Sequence, residues 1–342
     1  MPQPVNITEF LAAAETHPVI DVRTPAEFEQ GHIVGAINIP LFSNEERVII
    51  GTLYKQEGKQ AAILKGLELV GPKLHLFIEQ ARNTQNSGTF LMHCWRGGMR
   101  SASMAWLFEA YGFKCITLRG GYKAYRKHVL QSFSQLKKFI VLGGKTGSGK
   151  TLILQALRSQ GEQIIDLENI AHHKGSSFGS LGERKQSSQE QFENELYTEY
   201  AKTDAEKICW IENESRKIGV NVIPDKLWEQ MRAAKVAVVN LPVEERINYL
   251  VTEYGKYSKD ELTAAMERIT RHLGGQHAKA AIQAILDDDL AEACRISLVY
   301  YDKTYQYGED QREKSQLIHF EFEKLTPENI AETLRKKINN ND

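Results

Sequence analysis

Short apolar runs alternate with segments of helical spacing along the 342-residue chain, the pattern of strands joined by crossover helices. The first runs are Pro18-Val19-Ile20-Asp21-Val22-Arg23 and a turn plus strand over residues 31–40, with Thr24 and Pro25 marking a helix start between them. Thr89-Phe90-Leu91-Met92 reads as a buried strand, and residues 102–111 follow as a helix. Residues 41–81 have helical spacing and are expected to lie over the sheet or line its site. A second series follows: strands over 138–143, 163–166, 205–211 and 236–240, with an amphipathic helix over 152–159. From Pro242 the chain predicts helices over 243–254, 259–273 and 278–301, broken at Gly274-Gly275, then a strand over 317–322 and a terminal helix from Pro327. The tail Asn339, Asn340, Asp342 should be loose.

Length makes two domains the expectation: residues 1–130, a connecting helix over 131–137, and 138–342. The predicted class is α/β, an N-terminal α/β domain plus a parallel sheet with helices on both faces and a helical C-terminal extension. Apolar content of 42% and charged content of 25% are ordinary for a soluble globular protein. No apolar run reaches the roughly 20 residues of a membrane helix, and the N-terminus has neither a basic head nor an apolar signal core. A cytoplasmic protein is expected. Four scattered cysteines with no C-x-x-C pair argue against a zinc site or a disulfide framework, and no tightly bound cofactor is expected. The net charge of −1 hides an asymmetry: residues 110–161 hold ten Lys/Arg and no Asp or Glu. Such a segment suits a polyanion or is chance clustering on a solvated face.

Candidate chemistry begins at His93-Cys94-Trp95-Arg96-Gly97-Gly98-Met99-Arg100-Ser101. A cysteine between a strand and a helix N-terminus meets converging N–H groups and the positive end of the dipole, which favours its thiolate. The residues Trp95, Arg96, Gly97, Gly98 and Met99 would form an anion cradle that Arg100 closes with a bidentate grip. The plainer alternative is a small buried hydrophobe. Asp21 and His32 read as structural hydrogen-bonding residues.

Gly144-Lys145-Thr146-Gly147-Ser148-Gly149-Lys150-Thr151, after a strand and before a helix, is a Walker A loop, whose amides and Lys150 would wrap a diphosphate while Thr151 holds Mg²⁺ if a metal is present. Asp166, Glu212 and Arg216 are candidates around it; Glu212 could hold Mg²⁺ through water or be an exposed strand-end acid. Residues 167–179 are too rich in Gly and Ser for a core helix and read as a functional loop. Its adjacent His172 and His173 disfavour a metal pair, and with Lys174 they are candidate substrate contacts. Lys123, Arg126 and Lys127, interleaved with Tyr122 and Tyr125, suit nucleic-acid contact or an interdomain helix packing its tyrosines.

Asp21-Val22-Arg23, the string from Gly31 to Pro40, the cysteine loop and Leu118-Arg119-Gly120-Gly121-Tyr122 together resemble the rhodanese family over about residues 5–130. Here Arg100 comes six residues after Cys94 rather than the common five, so the loop also fits the His-Cys-x5-Arg phosphatase signature and can take a tetrahedral oxyanion. With the Walker loop and Gly175-Ser176-Ser177-Phe178-Gly179, the whole chain resembles the tRNA 2-selenouridine synthase family. That resemblance implies geranylation of 2-thiouridine at the tRNA wobble position from geranyl diphosphate, then replacement of the geranylated sulfur with selenium from selenophosphate. It implies Cys94 as a selenenylsulfide carrier, Arg100 and the loop amides on the departing phosphate, the diphosphate on Lys150, residues 110–161 as tRNA surface, and a selenophosphate-supplying enzyme as partner. A monomer is expected. A tRNA sulfurtransferase, a Cys-x5-Arg phosphatase and a nucleotide-switched RNA-binding adaptor are the alternatives.

Overall fold

The computed structural model describes residues 4–85 and 88–339. The chain divides into two compact units, residues 1–132 with 193–195 and residues 133–192 with 196–342.

The first unit runs β1 (Pro4–Val5), α1 (Ile7–Ala14), β2 (Val19–Asp21), α2 (Pro25–Gln30), β3 (Ile37–Asn38), α3 (Asn44–Gln56), α4 (Lys59–Val70), α5 (Leu74–Thr84), β4 (Thr89–His93), α6 (Met99–Tyr111), β5 (Lys114–Leu118) and α7 (Gly121–Ser132). Its five strands form a sheet in the order β1-β5-β4-β2-β3, every neighbouring pair parallel. Phe90 and Met92 of β4, fully buried, pack with Phe77 and Ile78 of α5 and Met104 and Phe108 of α6. Of the segment expected to cover the sheet, Leu41, Phe42 and α5 are buried in this core, and α3 and α4 touch it through the half-buried Ile50 and Val70. No residue of α3 and only Ala62 of α4 is fully buried, so these two helices pack at the edge of the core, with Glu46 paired to Lys73 at 2.6 Å.

The second unit contains β6 (Lys138–Gly144), α8 (Lys150–Ser159), β7 (Gln163–Ile165), α9 (Leu167–Ala171), α10 (Gln189–Lys202, except its residues 193–195), β8 (Ile208–Glu212), β9 (Lys217–Ile218), β10 (Asn221–Val222), α11 (Asp225–Ala233) and β11 (Lys235–Asn240). Then come α12 (Val243–Tyr254), α13 (Lys259–Arg268), α14 (Thr270–Leu273), α15 (Gly275–Leu286), α16 (Leu290–Asp310), β12 (Leu317–Glu321) and α17 (Pro327–Asn339). Five parallel strands run in the order β12-β11-β6-β8-β7. Ile153, Leu154 and Leu157 of α8 and Ile330 and Leu334 of α17 pack with Trp210 and Val239 of the sheet. A separate core joins α13, α15 and α16 through Met266, Ile285 and Ala293. Both sheets place their loops at the carboxyl ends of central strands, β4 and β6, where open α/β sheets bind ligands.

Several boundaries differ from the sequence reading. The expected helix over 131–137 is absent: α7 ends at Ser132. The strand expected from Ala205 begins only at Ile208. Residues 167–171, read as loop, form α9, because Leu167, Ile170 and Ala171 are buried and Asp166 accepts the Asn169 N–H at 2.9 Å as its cap. The helix over 259–273 breaks at Ile269, and the one over 278–301 at the Asp287-Asp288-Asp289 turn, where Asp288 adopts φ 64° and Asp289 caps α16. Asn339 belongs to α17, while Asn340 and Asp342 lie outside the described residues. Among the described residues no helix is long and apolar enough to cross a membrane.

Candidate functional site

β4 delivers Cys94 to the start of a loop that ends in the first turn of α6. The residue is 3% exposed. Its Sγ accepts the Gly98 N–H at 3.2 Å and the Ser101 hydroxyl at 3.3 Å. Burial pushes the thiol up, but these bonds and the Arg96 amide outweigh it and hold Cys94 below the 9.0 of an ordinary cysteine. Burial acts without such opposition on Cys115 and Cys209, pushed up to about 12, and on Cys294, pushed up to about 11. The loop needs glycine at two points. Gly97 has φ 65°, and a Cβ there would lie 2.6 Å from the Leu118 carbonyl oxygen; Gly121 has φ 58°, and a Cβ there would lie 2.3 Å from the Cys94 carbonyl oxygen.

Arg100 stands beside the loop, but its fork is already engaged: the two terminal nitrogens donate to Glu27 of α2 at 2.6 and 3.2 Å. An oxyanion would therefore meet the remaining N–H groups of a guanidinium fixed in place by Glu27. Trp95 and Met99 are exposed at the rim, as are Arg96, Gly97 and Gly98. Asp21 and Arg23 form a fully buried pair at 2.6 Å, and Arg23 also lies 3.7 Å from the ring centre of Tyr122. His93 is fully buried between Phe10 and Tyr122. Burial, in spite of Asp21 nearby, lowers its tendency to protonate, so it is a neutral packing residue. His32 bonds the Phe28 carbonyl at 2.9 Å and stacks on its ring.

In the second unit, β6 leads into the Walker loop. Gly144, Gly147 and Gly149 have positive φ, and Cβ atoms there would press on Ser148 (2.6 Å), the Arg246 carbonyl (2.9 Å) and Leu325 (2.8 Å). The Ser148 hydroxyl is buried with no hydrogen-bond partner, as suits a loop built around an anion. Lys150 Nζ donates to the Gly144 carbonyl at 3.3 Å and the Tyr305 hydroxyl at 3.1 Å. Burial disfavours its charge, but Tyr305, Glu214 and Glu168 more than restore it. Thr151 Oγ1 donates to Glu168 at 2.9 Å and lies 3.3 Å from Glu212. Glu212 is the last residue of β8, fully buried, and accepts the Glu168 N–H at 3.0 Å; it is not an exposed strand-end acid. Burial raises Asp166, Glu168, Glu212 and Glu214 together, Glu214 to about 8, and Glu168 and Glu214 share a side-chain hydrogen bond that keeps a proton between them.

Except for the fully buried Glu212, these groups border a cavity of about 1000 Å³, lined by Thr146 to Thr151, Asp166, Glu168, residues 174–177 and Glu214, with Tyr249, Tyr254, Tyr300, Tyr301 and Tyr305 on the helical side. Gly144 and Lys145 lie outside its lining, and Lys145 faces Asp302 at 3.9 Å. Arg216, expected at a phosphate, instead pairs with Asp225 and does not line the cavity. Lys174 does line it, paired with Glu253. His172 accepts from Arg184 at 2.8 Å, and His173 is wedged against Gly179 and Gly219; neither borders the cavity. On α7, Lys123 and Lys127 are exposed, Arg126 is paired with Glu193 inside the first unit, and Tyr122 and Tyr125 are buried, closing them to base stacking.

Sequence reasoning missed Glu27, Glu168, Tyr305 and the Arg246–Asp302 pair. Arg246, almost fully buried, grips Asp302 through two bonds of 2.8 Å and donates to the Thr146 carbonyl at 3.1 Å, strapping the Walker loop to α12 and α16. Among the described residues no three His, Cys, Asp or Glu side chains are grouped to hold a metal ion.

Residues 137–340 match the family described as tRNA 2-selenouridine synthase AAA domain, and residues 6–128 match the rhodanese-like domain. Among solved structures, the chain is similar to the N-terminal domain of a candidate ATP/GTP binding protein from Clostridium difficile 630 at 40% identity, over 37% of this chain and 99% of that one, with a TM-score of 0.35. A rhodanese-related protein from Thermoplasma volcanium matches at 17% identity over 37% and 92% of the two chains, with a TM-score of 0.24. The As-Sb reductase of Leishmania major matches at 16% identity over 37% and 79%, with a TM-score of 0.23.

Proposed function

We propose, since the chain belongs to the tRNA 2-selenouridine synthase family, that this tRNA-modifying enzyme acts on wobble 2-thiouridine in two stages: geranylation from geranyl diphosphate, then exchange of the geranylated sulfur for selenium from selenophosphate. The observation that carries the reading is that one chain holds two oxyanion cradles of different chemistry, one centred on a thiol held below its ordinary range and the other on an ammonium. In the first stage the thiouridine sulfur attacks C1 of the geranyl group, the C–O bond breaks, and diphosphate leaves into the Walker loop. The loop amides, the unpartnered Ser148 hydroxyl and Lys150 meet the charge that develops there. The oxygens of Thr151, Glu168 and Glu212 suit Mg²⁺, which would neutralise part of the diphosphate charge when bound.

In the second stage selenium enters at C2 of the base and geranyl thiolate leaves. Electron balance constrains the part played by Cys94. A selenenylsulfide on Cys94 forms only if the thiolate attacks selenium and phosphorus departs as phosphite, and once its selenium has attacked C2 an external thiol must reduce the S–Se bond to release the base. Release of phosphate requires attack on phosphorus, leaving a cysteinyl phosphate that water hydrolyses and freeing hydrogen selenide anion to attack C2. Phosphorus NMR of the released oxyanion reads which bond breaks. Lys123 and Lys127, one helical turn apart and exposed on α7, support a tRNA-binding face there. A selenophosphate-supplying enzyme is the proposed partner and the monomer the working unit.

The test is to incubate the chain with thiolated tRNA, geranyl diphosphate and selenophosphate and follow nucleoside mass. The expected products are S-geranyl-thiouridine followed by selenouridine. Sulfur transfer from thiosulfate without selenium incorporation would make it a sulfurtransferase. Cys94-dependent hydrolysis of an aryl phosphate with no nucleoside change would make it a phosphatase.

A further inference from the structure

Beyond the Walker loop the polar cavity gives way to a narrow apolar crevice between α12, α13, α15 and α16, of about 40 Å³ against the 1000 Å³ of the polar cavity. Phe178, Leu262, Met266, Ile285 and Leu298 form its walls. Thr146, Ser176, Leu250, Tyr254 and Tyr301 line both spaces, so the crevice opens off the diphosphate cradle. Leu250 joins the two directly, since a Cβ on Gly147 of the Walker loop would lie 3.1 Å from its side chain. The walls carry no charged group. Of its hydroxyls, that of Ser297 is satisfied by the Ala293 carbonyl at 2.7 Å, and that of Tyr301, buried with no hydrogen-bond partner, stands where the crevice meets the polar cavity; Cys294 is pushed up to about 11 by burial, so it stays a neutral thiol.

A nucleotide base needs hydrogen-bond partners that such walls do not offer, whereas an isoprenoid chain needs only to leave water. We propose that this crevice holds the hydrocarbon tail of the prenyl diphosphate whose head sits on the Walker loop, and that Met266, Ser297 and Leu298 set the chain length accepted. The proposal rests on the two-stage reading above and deepens it by placing the tail. Each methylene that enters the crevice tightens binding about fourfold, so the donor is selected by its tail while the Walker loop supplies only the anchor.

Two measurements test it. In the unaltered chain, a diazirine-bearing geranyl diphosphate should, on irradiation, label peptides within residues 262–298, and excess inorganic diphosphate should abolish the label. Labelling confined to other segments overturns the proposal. Next, prenyl transfer to thiolated tRNA is compared for dimethylallyl, geranyl and farnesyl diphosphates. Ser297→Leu should lower the geranyl-to-dimethylallyl ratio about tenfold, and Met266→Ala should raise the farnesyl-to-geranyl ratio by a similar factor, with inorganic diphosphate affinity within twofold of the unaltered chain. Transfer with unchanged ratios in both variants overturns the crevice alone. Absence of any prenyl transfer by the unaltered chain overturns the two-stage reading, and the crevice with it.

Discussion

At Cys94 the Gly98 amide and the Ser101 hydroxyl meet a sulfur that burial alone would keep protonated. Alkylation by iodoacetamide, followed by peptide mass spectrometry across pH, should show Cys94 reacting with a midpoint below 9.0 while Cys115, Cys209 and Cys294 stay unmodified. Ser101→Ala should move that midpoint upward; no movement would remove the hydroxyl from the account. Glu214 makes the opposite case. Its folded-state carboxyl is held at about 8 against an ordinary 4.5, so between these values the folded chain binds more protons than the unfolded one and stability falls as pH rises. Thermal melts of the ligand-free chain from pH 5 to 8 should show that decline, and Glu214→Gln should flatten it. Cys94, the glycines around it and Lys150 were legible because their chemistry is written in consecutive residues. Glu27 was not, since it meets Arg100 across 73 positions, and Tyr305 meets Lys150 across 155; such pairings exist only once the chain has folded. Arg216 misled because a nearby acid, Asp225, claims it.

Among the elements, β4 and β6, buried on both faces, were legible as continuous apolar runs, and α8, with one buried face, as an amphipathic repeat. Boundaries failed where a local bond decides. Asp289 starts α16 by capping it, and Ile269 ends α13 by bonding back to the Met266 carbonyl at 3.1 Å. The Walker loop is held by two elements distant in sequence, α12 through Arg246 and α16 through Asp302. Arg246→Ala would leave Asp302 facing a buried gap and free the Thr146 carbonyl. With Asp302 a quarter exposed, the cost should be about 3 kcal/mol, the low end for breaking a buried pair. Urea melts should record that loss together with weaker inorganic diphosphate binding; an unchanged midpoint would show that the strap does not bear on the loop.

For the whole molecule, the near-neutral net charge of −1 says little about partners, while the acid-free stretch over 110–161 leaves six of its ten cations exposed, Lys114, Arg119, Lys123, Lys127, Lys138 and Arg158. Lys123→Glu with Lys127→Glu should weaken tRNA binding and lower the salt-dependence slope by about 1 per residue; binding unchanged in both respects would move the tRNA elsewhere. The fusion of two α/β units was legible because each announces itself with a strand, a glycine-bearing loop and a helix, and the helical segment over 41–81 does meet the sheet's core, with Phe77 and Ile78 of α5 buried in it and Ile50 and Val70 packed against it. The central claim is a division of labour between the two cradles. It is tested most directly by nucleoside mass spectrometry of thiolated tRNA after reaction with Cys94→Ala and with Lys150→Ala, both donors present. Cys94→Ala should accumulate S-geranyl-thiouridine and form no selenouridine. Lys150→Ala should slow geranylation about 10²–10³-fold yet still convert pre-geranylated tRNA to selenouridine; loss of both steps in either folded variant would contradict the account.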